Sequence, residues 1–318
     1  MVTIVIPNYN GYKFLAPCLD AVARQEYGAM KVLVVDDGST DESVSYLQTR
    51  QDVTTIYLKE NTGFCGAVNT GIKAADTKYV ILLNNDTEVL GGYVQALVER
   101  MEQDERIFSA SAKMLLMHDR ARIDDAGDHY CALGYAFARG KNKLASLYEK
   151  PCDVFAACGG ASIYRKTILD KIGLFDENHF AYLEDIDIGY RARIYGYTNV
   201  YEPAAEVLHF GSGFSGSRYN EFKVSLASRN SVYLIWKNMP LLQIVLNAPF
   251  LLVGFLIKWL FFCKKKLGGI YASGVLKGIR MCVEPRNKKN KVRFMWKQVD
   301  NYFMVQCELW INIVKYFL

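Results

Sequence analysis

Apolar runs of four or five residues recur along the first third of the chain, each closed by a polar or glycine-bearing turn. Thr3-Ile4-Val5-Ile6, Val32-Leu33-Val34-Val35 and Tyr79 to Leu83 predict strands, and Thr54 to Leu58 predicts another. Between the first two, Phe14, Leu15, Cys18, Leu19 and Val22 return every three to four residues, so a helix is expected to open near Asn10-Gly11. Ser39-Thr40-Asp41-Glu42 carries the S-x-x-E pattern of a capping box and predicts a helix start. Gly63-Phe64-Cys65-Gly66 precedes a further helix. This alternation over residues 1 to about 110 is the signature of a parallel sheet covered by helices. A polar stretch from His118 to His129 then leads to a β-rich run from Val154 to Ser162. Helices are expected from Glu184 through Arg193 and from about Tyr219 to Trp236, with short strands near Val200 and Val207 between them.

The pattern changes at residue 241. Residues 241–263 are almost wholly apolar, interrupted by Gln243, Asn247, Pro249 and Lys258, and Lys264-Lys265-Lys266 follows at once. The length permits a membrane span, and a buried core helix is a further alternative. A helix lying in the membrane interface is the expectation, because basic flanks stay cytoplasmic. The stretch from Tyr302 to Leu318 is amphipathic and suits the same surface. Charge divides at the same place. Residues 241–318 hold 13 Lys and Arg against 3 Asp and Glu, leaving 25 and 30 for residues 1–240, so a +10 tail follows a −5 body. Because the tail's cations flank apolar runs, its expected partner is an anionic membrane surface and not nucleic acid. Two units follow, residues 1–240 and a basic, apolar helical membrane-association region, residues 241–318. Eight cysteines without C-x-x-C pairing read as reduced thiols of a cytoplasmic protein. The chain opens on a strand at Val2 to Ile6, without a signal peptide.

Chemistry enters at the strand tips. Val32 to Val35 runs into Asp36-Asp37-Gly38-Ser39, Val80 to Leu83 into Asn84-Asn85-Asp86, and Phe180 to Leu183 into Glu184-Asp185-Ile186-Asp187, with His209 downstream. Open α/β sheets bind ligands at the carboxyl ends of their strands. Carboxylates there suit a metal-bound nucleotide diphosphate and the activation of a hydroxyl. Asp36 and Asp37 have the alternative of capping the turn before Ser39. His209, in an apolar strand, has the alternative of a satisfied core residue. No G-x-G-x-x-G follows the first strand, so a dinucleotide oxidoreductase is unsupported.

Six segments in order resemble the family-2 inverting glycosyltransferases over residues 2 to about 240: Thr3 to Asn10, Val35 to Asp41, Asn61 to Gly71, Leu83 to Glu88, Gly159 to Ser162 with Gly173 to Glu177, and Tyr182 to Asp187. The resemblance implies a GT-A, Rossmann-like α/β fold: a mixed sheet flanked by helices, here with a C-terminal helical extension. It implies Asp37 as the carboxylate reading a uracil or thymine base, with Pro7 and Tyr9 lining that pocket and Asn69 touching sugar or phosphate. Asn84 and Asn85 stand at the D-x-D position. Asp86, with His209, would bind Mn²⁺ or Mg²⁺. Asn84 brings no charge where the family has its first Asp, so metal retention without donor is expected to be weak. Gly159, Gly160 and Ala161 would let the chain approach the acceptor, and Glu184 would contact it. Asp185, at a helix N-terminus whose macrodipole favours the ionised form, would be the general base. Asp187 points about 200° away around the helix and is expected to pair with Arg191 at i+4.

Asn84-Asn85-Asp86-Thr87 and Arg229-Asn230 before the basic, apolar tail resemble the rhamnosyltransferase-like enzymes of bacterial surface-polysaccharide synthesis. That implies a dTDP-rhamnose donor, with UDP-linked hexoses, N-acetylhexosamines or galactofuranose as alternatives. A polyprenyl-diphosphate-linked glycan is the implied acceptor, met from the cytoplasmic face of the cell membrane by a peripheral enzyme. The Q-x-x-R-W signature of processive synthases is absent, so non-processive transfer is expected. A non-catalytic membrane scaffold retaining the fold is the alternative of a different class.

Overall fold

The computed structural model describes residues 1–211 and 219–317. In chain order the first half forms β1 (Val2–Asn8), α1 (Tyr12–Ala23), β2 (Met30–Asp36), α2 (Ser43–Thr49), β3 (Thr54–Tyr57), α3 (Gly63–Ala74), β4 (Tyr79–Leu83), β5 (Thr87–Val89), α4 (Tyr93–Glu102) and β6 (Ile107–Leu116). It continues with β7 (Asp119–Asp125), β8 (Asp128–Cys131), β9 (Tyr135–Ala138), β10 (Cys152–Val154), β11 (Ala161–Arg165), α5 (Lys166–Ile172), α6 (Glu184–Ile194) and β12 (Thr198–His209). Four long helices close the chain: α7 (Glu221–Asn238), α8 (Leu241–Lys264), α9 (Gly268–Val283) and α10 (Val299–Phe317).

Among the described residues the main sheet runs β10-β12-β6-β11-β4-β1-β2-β3, with β5 paired to β12 and β7 to β6. Strands β4, β1, β2 and β3 are parallel neighbours. Strand β11 is antiparallel to both β4 and β6, and β12 runs parallel to β6. Helices cover both faces, which is why β1 and β4 read as continuous apolar runs and not as alternations. Val2, Ile4 and Ile6 join α1 and α4 in one core, while Val5 joins α3 and α5 in the other. The sheet is the mixed, helix-flanked sheet expected, and the helical extension is present.

Two local expectations change, and one unassigned region takes form. The capping box does not form, because the Ser39 hydroxyl accepts from the Asn10 backbone N–H (2.9 Å) and the Asn8 amide (3.3 Å), and α2 begins only at Ser43. The segments near Val200 and Val207 are one twelve-residue strand, β12, with an irregularity between Glu202 and Glu206. The region after residue 106 is a long buried strand, β6, followed by β7 and the β8–β9 hairpin.

Helices α7, α8 and α10 share the core of the body, and α9 packs closely on α7. Tyr302, Val305 and Leu309 of α10 pack in one cluster with Phe155, Tyr190 of α6 and Leu234 of α7. Helix α8 is long and apolar enough to cross a membrane by length and composition, yet only 17% of its most apolar stretch is buried. Its polar interruptions face the protein. Asn247 and Gln306 exchange amide hydrogen bonds (2.8 Å each), the Trp310 indole donates to Asn247 (3.1 Å), and the Tyr190 hydroxyl donates to Gln243 (2.7 Å). Leu242, Val245, Leu252 and Leu256 are exposed instead.

Helices α6 and α7 meet at buried charges. Asp187 is fully buried and accepts from Arg191 Nε (3.1 Å), Lys237 Nζ (2.8 Å) and Asn238 Nδ2 (2.8 Å). Lys237 also donates to Asp176 (2.8 Å), and Arg191 spends its remaining N–H groups on the carbonyls of Ile172, Gly173 and Leu174. The local Asp187–Arg191 pair is as expected, inside a larger network. Removing one partner of such a network strands an uncompensated charge, at a cost of about 3–5 kcal/mol. Lys237→Ala is therefore expected to destabilise the protein by that amount, read as a lowered thermal midpoint; an unchanged midpoint would show that Arg191 and Asn238 suffice for Asp187.

Candidate active site

A cavity of about 1340 Å³ opens beyond the carboxyl ends of β1, β2 and β4. Pro7, Tyr9, Asp37, Asn84, Asn85, Asp86, Gly159, Gly160, Glu184, Asp185 and His209 all line it. Two expected residues do not. Asn69 is buried on α3, its amide donating to the Phe175 carbonyl (2.8 Å) and Glu177 (3.0 Å) and accepting from the Phe175 N–H (3.1 Å). It fastens α3 to the 173–177 turn and offers nothing to a ligand. Ala161 lies within β11, paired to Leu83 and fully buried, so only Gly159 and Gly160 reach the cavity.

At one end the β2 tip is held by its own acids. Asp36 accepts from Asn8 Nδ2 (2.9 Å) and the Ser39 N–H (3.0 Å), a structural cap. Asp37 accepts from the Thr62 N–H (2.8 Å), the Thr62 hydroxyl (2.7 Å) and the Gly63 N–H (2.9 Å), tying β2 to the start of α3. A carboxylate has about four lone-pair sites, so one remains toward the cavity. Burial pushes the Asp37 carboxyl up, against these donors. Asn85 donates to Asn8 (2.7 Å), fixing the β4 tip to β1.

In the middle, β12 and β5 bring His209 beside Asp86. The imidazole Nδ1 lies 2.7 Å from Asp124, and Nε2 lies 3.4 Å from Asp86 Oδ1. Asp124 also pairs with Lys141. Burial disfavours the imidazolium, but the two carboxylates outweigh it and raise His209 to about 9. A carboxylate holding Nδ1 while Nε2 faces a hard oxygen donor is the arrangement that orients a metal-ligating histidine. Asp86 and His209 thus fit a divalent cation, with Asp124 as the orienting partner that the sequence did not reveal.

At the far end Asp185, Glu184, Asp128 and Asp125 crowd together. Burial and like charge raise Asp125 to about 7 and hold Asp128 and Glu184 well above the usual carboxylate range. Asp185 is raised as well, by burial, although the N–H groups of Ile186 and Gly159 and the Asp128 side chain pull it back. The helix N-terminus therefore does not win outright, and desolvation reverses the expected direction. The hydrogen bond between the two side chains lowers Asp185 and raises Asp128. Asp125, Asp128 and Cys158 lie close enough to share a cation. Burial holds the Cys158 thiol well above its ordinary value as well.

The loop before α6 is strained. Phe180, Tyr182 and Leu183 all have positive φ (64°, 70° and 67°), a conformation costly for bulky residues. Asn230 Nδ2 donates to the carbonyls of His179, Ala181 and Tyr182, and Arg229 donates to those of Asn178 and His179. Gly63 packs against this loop so closely that a Cβ would come within 2.5 Å of the Phe180 ring.

A doubly covered mixed sheet, with acids at the β2 and β4 tips and a carboxylate cluster across the cavity, is the architecture of the GT-A fold. Residues 3–173, over half of the chain, match the family described as glycosyl transferase family 2; the protein belongs to that family. It is 26% identical over 194 residues to an uncharacterized glycosyltransferase of Rickettsia prowazekii, covering 60% of this chain and 58% of that protein. It is 24% identical over 208 residues to the poly-beta-1,6-N-acetyl-D-glucosamine synthase of Staphylococcus aureus, covering 64% and 48%. A Streptococcus pneumoniae glycosyltransferase, GlyA, is 32% identical over 103 residues, 31% of this chain and 15% of that one. The chain thus spans less than two thirds of these curated relatives. Among solved structures, GalNAc-T7 with UDP, GalNAc and Mn²⁺ superposes at TM-score 0.61 with 18% identity, over 74% of this chain and 48% of that one. The Pyrobaculum calidifontis mannosyltransferase with GDP-Man and Mn²⁺ does so at 0.54 with 16% identity, over 97% and 84%. At these identities the likeness concerns the fold.

A cation at His209 must displace the Nε2 proton. Its affinity is expected to climb by about tenfold per pH unit below pH 9 and flatten above. Mn²⁺ titrations followed by paramagnetic resonance from pH 6.5 to 9.5 check this, and His209→Gln should flatten the slope. A steep slope surviving in that variant would assign the proton elsewhere.

Proposed function

We propose that the protein transfers a sugar, with inversion, from a pyrimidine nucleotide diphosphate to a hydroxyl of a polyprenyl-diphosphate-linked glycan, one or few sugars per event. The observation that carries this reading is the placement of Asp185 across one cavity from Asp86 and His209, so that a base and a diphosphate site face a common space. Pro7, Tyr9 and the free lone pair of Asp37 hold the pyrimidine, whose N3–H suits a carboxylate. A divalent cation held by Asp86 and His209, Mn²⁺ or Mg²⁺, would neutralise charge on the departing diphosphate. Asp185 accepts the acceptor's proton while a hydrogen bond with Asp128 steadies the carboxylate. Glu184, Gly159 and Gly160 shape the acceptor side.

Two donors fit a site that reads an imide N–H. The motifs at 84–87 and 229–230 favour dTDP-rhamnose, although Arg229 and Asn230 serve the 178–182 loop and not the donor. The Staphylococcus aureus relative's name favours UDP-N-acetylglucosamine as the second reading. Nucleotide diphosphate release from dTDP-, UDP- and GDP-sugars, with acceptor lipid extract present, separates them. Release should require metal and fail in Asp86→Ala. Asp185→Asn should lose about 10²–10⁴-fold of transfer while still binding nucleotide; unchanged turnover would remove it as the base. In the same assay Asp128→Ala should move the acid limb of the pH profile upward, since Asp185 loses its donor, and Asp128→Asn should restore it.

The site of action we propose is the cytoplasmic membrane face. Helix α8 turns its polar residues inward and its apolar ones outward, the reverse of a soluble helix, and Phe303, Trp310, Ile311 and Val314 of α10 are exposed as well. A patch of this kind marks a membrane or partner site, and the basic 241–318 region favours anionic lipid. The full chain is expected to float with phosphatidylglycerol vesicles, and Leu242→Ser/Leu252→Ser/Leu256→Ser to stay behind with its circular dichroism intact. Equal flotation of the triple variant would defeat the membrane reading.

A further inference from the structure

The cavity continues past the carboxylates to a wall that donor, metal and base leave unused. Tyr135 and Phe137 of β9, Ile257, Lys258 and Phe261 of α8, and Tyr316 of α10 form it. The Tyr135 and Phe137 rings each lie 5.2 Å from the Tyr316 ring, edge to face. Small-molecule sites usually occupy about 300–1,000 Å³, so about 1340 Å³ leaves room beyond one nucleotide sugar.

The wall is firmly placed. A Cβ at Gly254 would fall 2.1 Å from the Leu133 carbonyl oxygen, so α8 lies directly on the β8–β9 turn, where the Tyr135 hydroxyl donates to the Gly254 carbonyl (2.5 Å). On the other side of the same helix, Leu252, Leu256 and Leu260 are exposed. The cavity and the apolar outer face thus lie on opposite sides of α8, separated by its thickness.

One cation stands on this wall. Lys258 Nζ sits 4.2 Å from the Tyr135 ring centroid. Burial pushes its ammonium down to about 8, and no carboxylate among the described residues is near enough to hold it up. By contrast Lys141, at the metal end, is paired with Asp124. An ammonium seated in aromatic surroundings without an acid partner calls for an anion from the ligand.

We propose that this wall is a subsite for the phosphate-bearing isoprenoid end of the acceptor, with Lys258 pairing the phosphate and the hydrocarbon lying along the aromatic rings toward the outer face of α8. This rests on the reading of the acceptor as lipid-linked and adds where, and by which charge, the lipid is held. Neither the sugar-transfer chemistry nor the donor pocket requires Lys258, so the two readings can fail separately.

The test uses the full chain in EDTA, which removes the cation that would otherwise draw diphosphates to Asp86 and His209. Farnesyl diphosphate, farnesol and inorganic diphosphate serve as probes, their binding followed by tryptophan fluorescence. Farnesyl diphosphate is expected to bind at least tenfold more weakly to Lys258→Gln than to the native protein, with recovery in Lys258→Arg. Farnesol should bind both alike, and inorganic diphosphate should fail to displace farnesyl diphosphate. Equal binding of farnesyl diphosphate to the native and Lys258→Gln proteins would overturn the proposal, as would full displacement by inorganic diphosphate. UDP and dTDP binding with Mn²⁺, measured alongside on the same variants, should be unchanged; loss of it in the native protein would count against the transferase reading instead.

Discussion

The buried carboxylate of Asp187 sets the geometry on which the acidic end of the cavity depends. Removing a carboxylate from water costs several kcal/mol, and the cost is offset only where good hydrogen bonds and counter-charges surround it. Arg191, Lys237 and Asn238 supply them, two from α7 and one from the helix that carries Asp187 itself. Helix α6 can therefore sit only where α7 meets it. Asp185 lies two residues earlier on the same turn, pointing to the cavity while Asp187 points to the network. One rigid turn thus carries a neutralised charge on one side and the candidate base on the other.

The strained approach to α6 follows from the same contact. Three bulky residues with positive φ persist only where surroundings over-determine them. Here α7 does so, through five donated hydrogen bonds from Arg229 and Asn230. The family match ends at residue 173, yet the site is not finished there. Both α6 and the helix that clamps its entry lie beyond it, and α10 shares their core. The C-terminal helices are consequently part of what shapes the cavity, whatever surface their outer faces meet.

What was legible in the sequence is what local spacing encodes. Buried strands and their acidic tips stand within a few residues of one another, and the Asp187–Arg191 pair is one helical turn. The rest required long-range pairing. Asp124 meets His209 across 85 positions, and Lys237 meets Asp187 across 50; no periodicity links such residues before the sheet brings β7 beside β6 and β12. The Asn69 expectation erred for a readable reason. Cys65, Val68, Asn69 and Ile72 fall on the inner face of α3, so its amide was bound to seek a buried backbone partner. Ser39 erred by competition, because Asn8 and Asn10 claimed its hydroxyl.

The acid cluster poses a balance that burial and hydrogen bonding settle together. Raising a base toward its substrate's pKa increases the driving force for taking a proton but lowers the ionised fraction available to do so. Desolvation alone would carry Asp185 far in that direction, as it does Glu184 and Asp128. The hydrogen bond with Asp128 opposes it, lowering Asp185 while Asp128 itself is held well above the usual carboxylate range. Asp128 sits in the β8–β9 hairpin, itself seated against α8 and α10. The carboxyl beside the candidate base is thus carried by a hairpin that α8 and α10 hold in place, so the last helices also position the acid cluster.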